Sequence, residues 1–399
     1  MKQKLQFIPI TILLFLFFYI PGAQAAEESK DTSPTLSPQE LVDQQLETLD
    51  LTELTQFWED ITNKYGGFLP ESQKGSLYDF VKGEKQFSFK QWGQGVLKFA
   101  FQEFVSNGKL LGTLIMLTVF SMFLQSMQNA FENSTISKVA YSIIYMVLVI
   151  LALNSFHIAV SYTNEAIGTM ISFILALVPL LLALVAASGG LISAAFFHPV
   201  ILFLMNMSGL FMQYIILPLL FLATLLSIVS TMSEQYKVSQ LADLLRNWSI
   251  GLMGLFLTVF LGVISVQGAS AAVSDGVAIR TAKFVTGNFI PVIGRMFTDA
   301  TDTVVSASVL LKNTVGIAGV AILLIIVAFP AIKILMISFI YKFAAAILQP
   351  LGGGPVIKCL DIISKSVIYV FAALGIVSVM FFLSITVIVA AGNLTMMMR

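Results

Sequence analysis

The sequence predicts an all-α, polytopic membrane protein with about seven or eight spans and a small exported helical segment at its N-terminus. Three observations predict this fold class. Of the 399 residues, 57% are hydrophobic and only 11% are charged, whereas soluble domains carry about 25% charged residues. From residue 110 onward, apolar stretches long enough to cross roughly 30 Å of hydrocarbon follow one another closely. Polar sequence is concentrated in one block before residue 110.

The first 25 residues have the pattern of a signal peptide. Lys2 and Lys4 precede an apolar run from residue 7 to residue 20, and the small-residue pattern Ala23-Gln24-Ala25 follows. This order is typical of a secretory signal that is cleaved, here after Ala25. The run is short for a membrane span, although retention as an N-terminal anchor is the alternative. Either outcome exports the residues that follow.

Residues 26–109 are predicted to form an exported, acidic helical segment. They contain 14 acidic and eight basic residues, a net charge of −6, and a bias away from Lys and Arg suits the outer side of a membrane. Ser37, Pro38 and Glu40 make a helix-start pattern. A last helix is expected from Phe89, with an aromatic stripe that suits either an interfacial helix or a small helical core.

Residues 110–399 are predicted to be the multi-span membrane domain. The eight candidate spans are 110–128, 140–161, 168–187, 191–209, 210–230, 248–267, 315–340 and 367–391. Because Pro199 and Pro218 fall inside 191–230, this stretch is either two spans or one irregular span. Residues 268–314 are too polar to cross lipid alone and too apolar for a free loop. We expect amphipathic or re-entrant helices there, packed on the bundle.

The distribution of Lys and Arg supports the eight-span topology with the exported segment outside. The connections 129–139, 231–247 and 341–366 then lie inside and carry basic residues, whereas 162–167 lies outside and carries only Glu165. Such an excess of Lys and Arg marks cytoplasmic loops. The exception is 268–314, which would lie outside although it holds four basic residues. The predicted span number therefore stays at seven or eight.

The sequence argues against an enzyme and against a metal, cofactor or nucleic-acid site. It contains no GxxxxGK[ST] phosphate loop and no HExxH pattern. His157 and His198 lie on separate predicted spans, and the single Cys359 has no base near it in sequence. The net charge of zero gives no bulk attraction to nucleic acid. The lipid bilayer is the partner that the composition does predict.

Lys333 is the first candidate for a functional position. It follows Pro330 in an otherwise apolar run, and an ionisable residue inside a membrane span is by default a functional hypothesis. Two interpretations remain open. The ammonium group lines a path through the bundle, or the helix ends near Pro330 and the side chain reaches the membrane surface.

Two further sets of positions are candidates for a path or a hinge. Asp299 and Asp302 lie three residues apart in a Thr- and Ser-rich stretch, so on a helix they share one face. They either line an aqueous path or form a solvated cap. Gly352, Gly353 and Gly354 stand between two prolines, and such a sequence makes either a hinge or a plain loop.

Several stretches of this chain are similar to one family of membrane proteins. They are residues 65–75, 107–114, 194–199, 231–237 and 287–296, together with the run Gln-Pro-Leu-Gly-Gly-Gly-Pro at 349–355. On these stretches the chain resembles the stage III sporulation protein AE family of endospore-forming bacteria. The resemblance covers essentially the whole length.

The resemblance implies membership of a multiprotein complex that the mother cell makes and that contains other stage III A sporulation proteins. Through the forespore protein called stage II sporulation protein Q, this complex would bridge the two membranes around the engulfed forespore. It would act as a channel or secretion-like conduit that keeps the forespore competent for late gene expression. The chain would lie in the mother-cell membrane with its N-terminal segment in the intermembrane space. The resemblance supplies no catalytic residues.

Two mechanisms fit this expectation. In the first, the subunit forms a homo-oligomer whose spans line the conduit, while a separate protein supplies ATP hydrolysis. In the second, it is a non-conducting membrane platform that assembles and positions the other subunits. A transporter that acts alone is disfavoured, because the eight predicted spans contain no carboxylate.

Overall fold

The computed structural model describes residues 51–70, 75–78, 89–130, 135–232, 238–289, 293–352 and 354–397. Within these ranges every regular element is a helix. The all-α fold class of a polytopic membrane protein is thereby confirmed. The predicted signal peptide and residues 26–50 of the segment predicted to be exported, with its helix start at Ser37, lie outside the described residues.

The α-helices are named here in chain order. Before the membrane domain they are α1 (Thr52–Tyr65) and α2 (Phe89–Ser106). The membrane domain contains α3 (Gly108–Ala130), α4 (Thr135–Ala187), α5 (Leu191–Phe211), α6 (Leu217–Met232), α7 (Ser239–Phe289), α8 (Ile293–Leu348) and α9 (Pro355–Met397). A π-helical turn, Met212–Ile216, joins α5 to α6 without a break, and a 3-10 turn, Gln349–Leu351, follows α8.

Six helical stretches in the described part of the chain are long and apolar enough to cross a membrane, instead of seven or eight. They are Gly108–Met127, Lys138–Ala187, Leu191–Met232, Ser239–Ala278, Val304–Leu348 and Pro355–Ala391. The number is smaller because two pairs of predicted spans each lie on one continuous helical stretch. Residues 140–161 and 168–187 share α4, and residues 191–209 and 210–230 share the α5–α6 stretch.

Local sequence explains both continuous stretches. The connection expected at 162–167 contains no Gly or Pro, so nothing in it interrupts the helix. Pro218 lacks an amide hydrogen, and directly before it the Leu217 amide donates to the Met212 carbonyl in the wider π pattern. The chain therefore passes the proline as a helix rather than as a turn.

These helices are longer than one bilayer requires. The 53 residues of α4 rise about 80 Å at 1.5 Å per residue, against roughly 30 Å of hydrocarbon. Residues 268–289 continue α7, and residues 293–314 begin α8. The polar segment predicted at 268–314 is thus helical where it is described, as the facing ends of two long helices.

The core of the bundle is formed by α4, α8 and α9, which pack against one another. Its polar groups are paired across helices: the Tyr341 hydroxyl donates to Ser155 Oγ at 2.8 Å, and the Ser338 hydroxyl donates to the Ser364 carbonyl at 2.8 Å. Such bonds satisfy polar atoms that would be costly to leave alone in a dry interior. Helices α3 and α7 are the least buried of the apolar helices.

Helices α1 and α2 pack on this bundle. Phe57 of α1 meets Phe173 of α4 edge to face, with ring centroids 5.5 Å apart. Tyr65 stacks on Phe329 of α8 at 4.0 Å, and Phe99 of α2 meets the same ring at 4.8 Å. Burial of several aromatic rings gives this contact a large apolar contribution. It also places α1 beside the middle of α4 and α8.

Candidate functional site

A polar cavity lies between α1 and the middle of α4 and α8. Its volume is about 660 Å³, within the usual range for small-molecule sites. Its wall includes charged side chains from all three helices: Asp60 and Lys64 of α1, Glu165 of α4 and Lys333 of α8. Apolar and aromatic residues complete the lining, among them Phe57, Tyr65, Tyr162, Ile326 and Pro330.

An ion pair joins α1 to the bundle at this cavity. The Lys64 ammonium group donates to Glu165 Oε1 at 2.9 Å. This hydrogen bond raises the pKa of Lys64 above its ordinary value. Both side chains are more than half exposed, so the pair adds only modestly to stability. Its role is to set the position of α1 against α4.

Lys333 stands on the opposite wall. Helix α8 continues past Pro330 to Leu348, so the helix does not end near Lys333, as one interpretation of the sequence expected. The ammonium group lies 4.9 Å from the centre of the Tyr162 ring, a cation–π distance. No carboxylate pairs with it among the residues that the structure describes. Within the described part of the chain, the Lys333 ammonium group therefore faces the cavity with the Tyr162 ring as its stabilising contact.

An aromatic cluster closes the cavity beside α1. Tyr65 is 8% exposed and packs between Phe329 and Phe99, the latter at 6.1 Å edge to face. Burial raises the pKa of the Tyr65 phenol. Phe68 packs on Phe99 at 5.0 Å. These contacts hold the last turn of α1 on α8, one turn away from Lys333.

The side chains that line the cavity can bind polar solutes and attract or repel charged ones. Lys64 and Glu165 neutralise each other, while Lys333 and the exposed Asp60 keep unpaired charges of opposite sign within the described part of the chain. A cavity with such walls can hold water and polar solutes between apolar helices. No group of three or more His, Cys, Asp or Glu side chains suited to a metal ion occurs among the described residues.

The other predicted positions lie elsewhere. Asp299 and Asp302 are on the first turns of α8, and their side chains are outside the described structure. Gly352 ends the 3-10 turn after α8 with φ of +148°, a conformation that favours glycine. Gly354 lies beside the Gln125 side chain of α3, and Gly353 is outside the described residues. The three-glycine stretch thus forms the connection between α8 and α9, at the far end of α8 from Asp299.

Sequence reasoning missed the Lys64–Glu165 ion pair that lines this cavity together with Lys333. Glu165 was assigned to an outer loop, but it lies inside α4, and Lys64 was treated as one charge of an acidic segment. The available signal was the isolation of Glu165, the only charged residue from 139 to 232. An isolated carboxylate in apolar sequence predicts a cationic partner, although it does not say which one.

Comparison with known proteins gives one consistent result. The model of one protein family, stage III sporulation protein AE, matches residues 72–392. The chain belongs to the stage III sporulation protein AE family. It is 67% identical, over 380 residues and 95% of each chain, to the stage III sporulation protein AE of Bacillus subtilis (strain 168). No solved structure matches the chain.

Family membership confirms the resemblance and supports a role in sporulation. The family's name refers to a stage of sporulation and to no chemical reaction. The matched range includes the cavity wall from α4 and α8, with Glu165 and Lys333, whereas α1 precedes the match. Within this family, the cavity is the feature on which a proposal about mechanism can be built.

Proposed function

We propose that this protein is a membrane component of a channel-like, secretion-like complex between mother cell and forespore, needed for endospore development and late forespore gene expression. The observation that carries the proposal is the polar cavity at the middle of the bundle. Lys333 projects into it from an apolar helix and has no acidic partner among the described residues. An intramembrane charge in a hydrated cavity is typical of solute and ion pathways.

The charge distribution supports an orientation for this complex. One end of the bundle holds the described basic residues Lys138, Arg246, Lys342, Lys358 and Lys365, against Asp243 and Asp361. By the positive-inside tendency, this basic end faces the mother-cell cytoplasm. Helix α1 belongs to the segment with a net charge of −6. It packs at Phe173 and Phe329, away from this basic end, and would lie toward the opposite side. That side is the intermembrane space in this proposal.

The partners that we propose are other stage III A sporulation proteins and, through the complex, stage II sporulation protein Q. The exported acidic segment would be the docking surface, because α1 leaves a polar face exposed while Phe57 packs on the bundle. On α2, the exposed side chains include Leu97, Phe101 and Val105, which offer an apolar contact. The chain has no phosphate loop. We therefore propose that it performs no enzymatic step, and that energy for transfer comes from a separate ATPase.

A non-conducting platform is the second candidate, and one observation favours it. The exported helices are fastened to the bundle by the Tyr65–Phe329 stack and the Lys64–Glu165 pair. A fixed exported surface of this kind suits a subunit that positions other proteins. In that case the cavity would be part of the contact between α1 and the bundle. Lys333 would then help to position α1 and would not line a path for solutes.

Solute release from liposomes separates the two functions. The purified full-length protein would be reconstituted with a small fluorescent dye and a large labelled dextran trapped inside. A conduit subunit predicts release of the dye but not the dextran, with a changed rate for Lys333→Gln. The matched control is Lys109→Gln, an exposed lysine at the start of α3 outside the cavity lining.

Sealed liposomes would contradict conduction by this subunit alone. The same measurement is then repeated with the other stage III A proteins in the membrane. If the liposomes stay sealed while the protein is folded, inserted and bound to its partners, the platform replaces the conduit as the function.

A further inference from the structure

A second cavity lies at the basic end of the bundle, where α8 turns into α9. It has a volume of about 330 Å³, and its lining includes Lys342, Gln349, Ile357, Lys358 and Asp361. It lies at the opposite end of α8 from Asp299 and shares no residue with the cavity around Lys333. The proposed conduit does not involve this second cavity.

The charges around this cavity leave an excess of positive charge. Asp361 is bound on both oxygens, by Lys342 at 2.5 Å through Oδ1 and by Lys365 at 2.8 Å through Oδ2. Lys358 is exposed and has no ion-pair partner in the described ranges. Three lysines against one carboxylate give a local charge of +2. Such a pocket favours an anionic group.

An exposed apolar stripe on α8 continues from the charged pocket along the helix. Phe339, Phe343 and Ile347 are 49%, 38% and 45% exposed, and their spacing of four residues places them on one side of α8. Phe339 and Phe343 stack at 5.7 Å. Phe104 of α2 meets both rings edge to face, at 5.8 and 6.3 Å, so the exposed part of the stripe lies beside α2. The stripe runs about 12 Å along the helix, next to the face that carries Lys342 and Gln349. A ligand with an anionic head and an apolar chain matches both parts.

We propose that this pocket binds the headgroup phosphate of an anionic phospholipid, with an acyl chain lying along the stripe from Ile347 to Phe339. The location agrees with this ligand, because the pocket lies at the end of membrane-crossing helices. Basic pockets between such helices are known sites for anionic lipid headgroups. Lys358 supplies the free ammonium group, and Asp361 keeps Lys342 and Lys365 in place.

The proposal is tested by titrating delipidated full-length protein in detergent, with bound lipid counted by native mass spectrometry. The probes are dioctanoyl phosphatidylglycerol, dioctanoyl phosphatidylcholine and glycerol phosphate. We expect saturable binding of phosphatidylglycerol, tighter than that of either other probe. Lys358→Gln weakens it about five-fold, and Lys358→Arg retains it. Ile347→Ser weakens phosphatidylglycerol binding and leaves glycerol phosphate unaffected.

Lys109→Gln is the matched control, since it removes an exposed lysine that does not line the pocket. If it weakens binding as much as Lys358→Gln does, the attraction is bulk charge and the site does not exist. Equal binding of the two lipids, or no saturable binding, also overturns the proposal. Glycerol phosphate bound as tightly as phosphatidylglycerol overturns the assignment to lipid. Solute release through the bundle is a separate readout, so failure here leaves the proposed conduit standing.

Discussion

One charged residue of the polar segment 268–314, Asp275, has a structural role as a buried hydrogen-bond acceptor. Asp275 of α7 is 1% exposed and accepts hydrogen bonds from the amides of Ile192 at 3.0 Å and Ser193 at 3.2 Å. These are amides of the first turn of α5, which have no carbonyl partner within their own helix. Asp275 thus caps α5 from a neighbouring helix and ties the turn after α4 to α7.

Removing this cap is predicted to destabilise the protein. We expect Asp275→Ala to lower the free energy of unfolding by about 1–2 kcal/mol, measured by denaturation in detergent. Asp275→Asn keeps an acceptor and retains part of the stability. Ser274→Ala is the control, because that exposed hydroxyl bonds only within its own helix. An Asp275→Ala protein as stable as the control would refute the cap.

The pKa shifts of two residues of α1 predict how the docking of α1 on the bundle depends on pH. Lys64 is stabilised as the cation by Glu165, which raises its pKa, and burial of Tyr65 favours the neutral phenol, which raises its pKa. Groups whose folded pKa is raised contribute stability that is complete below their unfolded pKa and is lost as pH rises through the folded pKa. Docking of α1 is therefore predicted to be intact at neutral pH and to weaken above about pH 10.

The anisotropy of a dye attached through Gln56→Cys, an exposed position on α1, reports this docking. We expect a fall in anisotropy above about pH 10 that becomes smaller in Lys64→Gln and in Tyr65→Phe. A constant anisotropy up to the point of global unfolding would show that neither residue controls docking.

At the level of helices, close contact between α4 and α8 depends on a glycine. A Cβ atom at Gly319 would lie 2.6 Å from Leu177 Cδ2, which is too close for van der Waals contact. Small residues permit such close approach of membrane helices. By contrast, a Cβ atom at Gly254 on the outer face of α7 would have no neighbouring heavy atom within 4 Å.

These two glycines make a matched pair for mutation. We predict that Gly319→Val lowers the free energy of unfolding by about 1–3 kcal/mol through overpacking, whereas Gly254→Val leaves it nearly unchanged. Thermal unfolding of both variants in the same detergent checks this. Equal stability of the two would mean that α4 and α8 do not approach as closely as described here.

At the level of the whole molecule, the basic and acidic parts of the chain predict its orientation in the membrane. The single cysteine, Cys359, is buried, so introduced cysteines can be labelled against a low background. We expect Gln94→Cys on α2 to react with a membrane-impermeant maleimide in intact protoplasts. Lys358→Cys should react only after permeabilisation. The reverse pattern would place the exported segment in the cytoplasm.

Composition and hydropathy predicted the helical membrane fold, because the shortage of charge and the long apolar runs leave no other fold class. They did not predict the helix lengths. Residues 162–167 looked like a loop since they are polar, but they contain no helix breaker, and α4 continues through them. Hydropathy detects apolar length, whereas only packing shows where a helix ends.

Of the charged residues that line the cavity, the sequence singles out Lys333 and gives no indication of the Lys64–Glu165 pair. Lys333 is conspicuous in the sequence because placing a lysine inside a membrane span costs free energy, and such residues usually have a function. Lys64 and Glu165 are 101 positions apart, and Lys64 lies in a segment where charge is ordinary. No local pattern links such residues. Their proximity follows from the docking of α1 on the bundle, which rests on aromatic contacts with α4, α2 and α8.

The role of Lys333 is tested most directly by the spore yield of cells that carry Lys333→Ala, with Lys109→Ala as control and protein levels matched by immunoblot. We expect heat-resistant spores to fall by about ten-fold or more in Lys333→Ala, whereas Lys333→Arg and Lys109→Ala sporulate normally. Normal spore yield from Lys333→Ala would contradict this role, because the cavity could then work without the charge that distinguishes it.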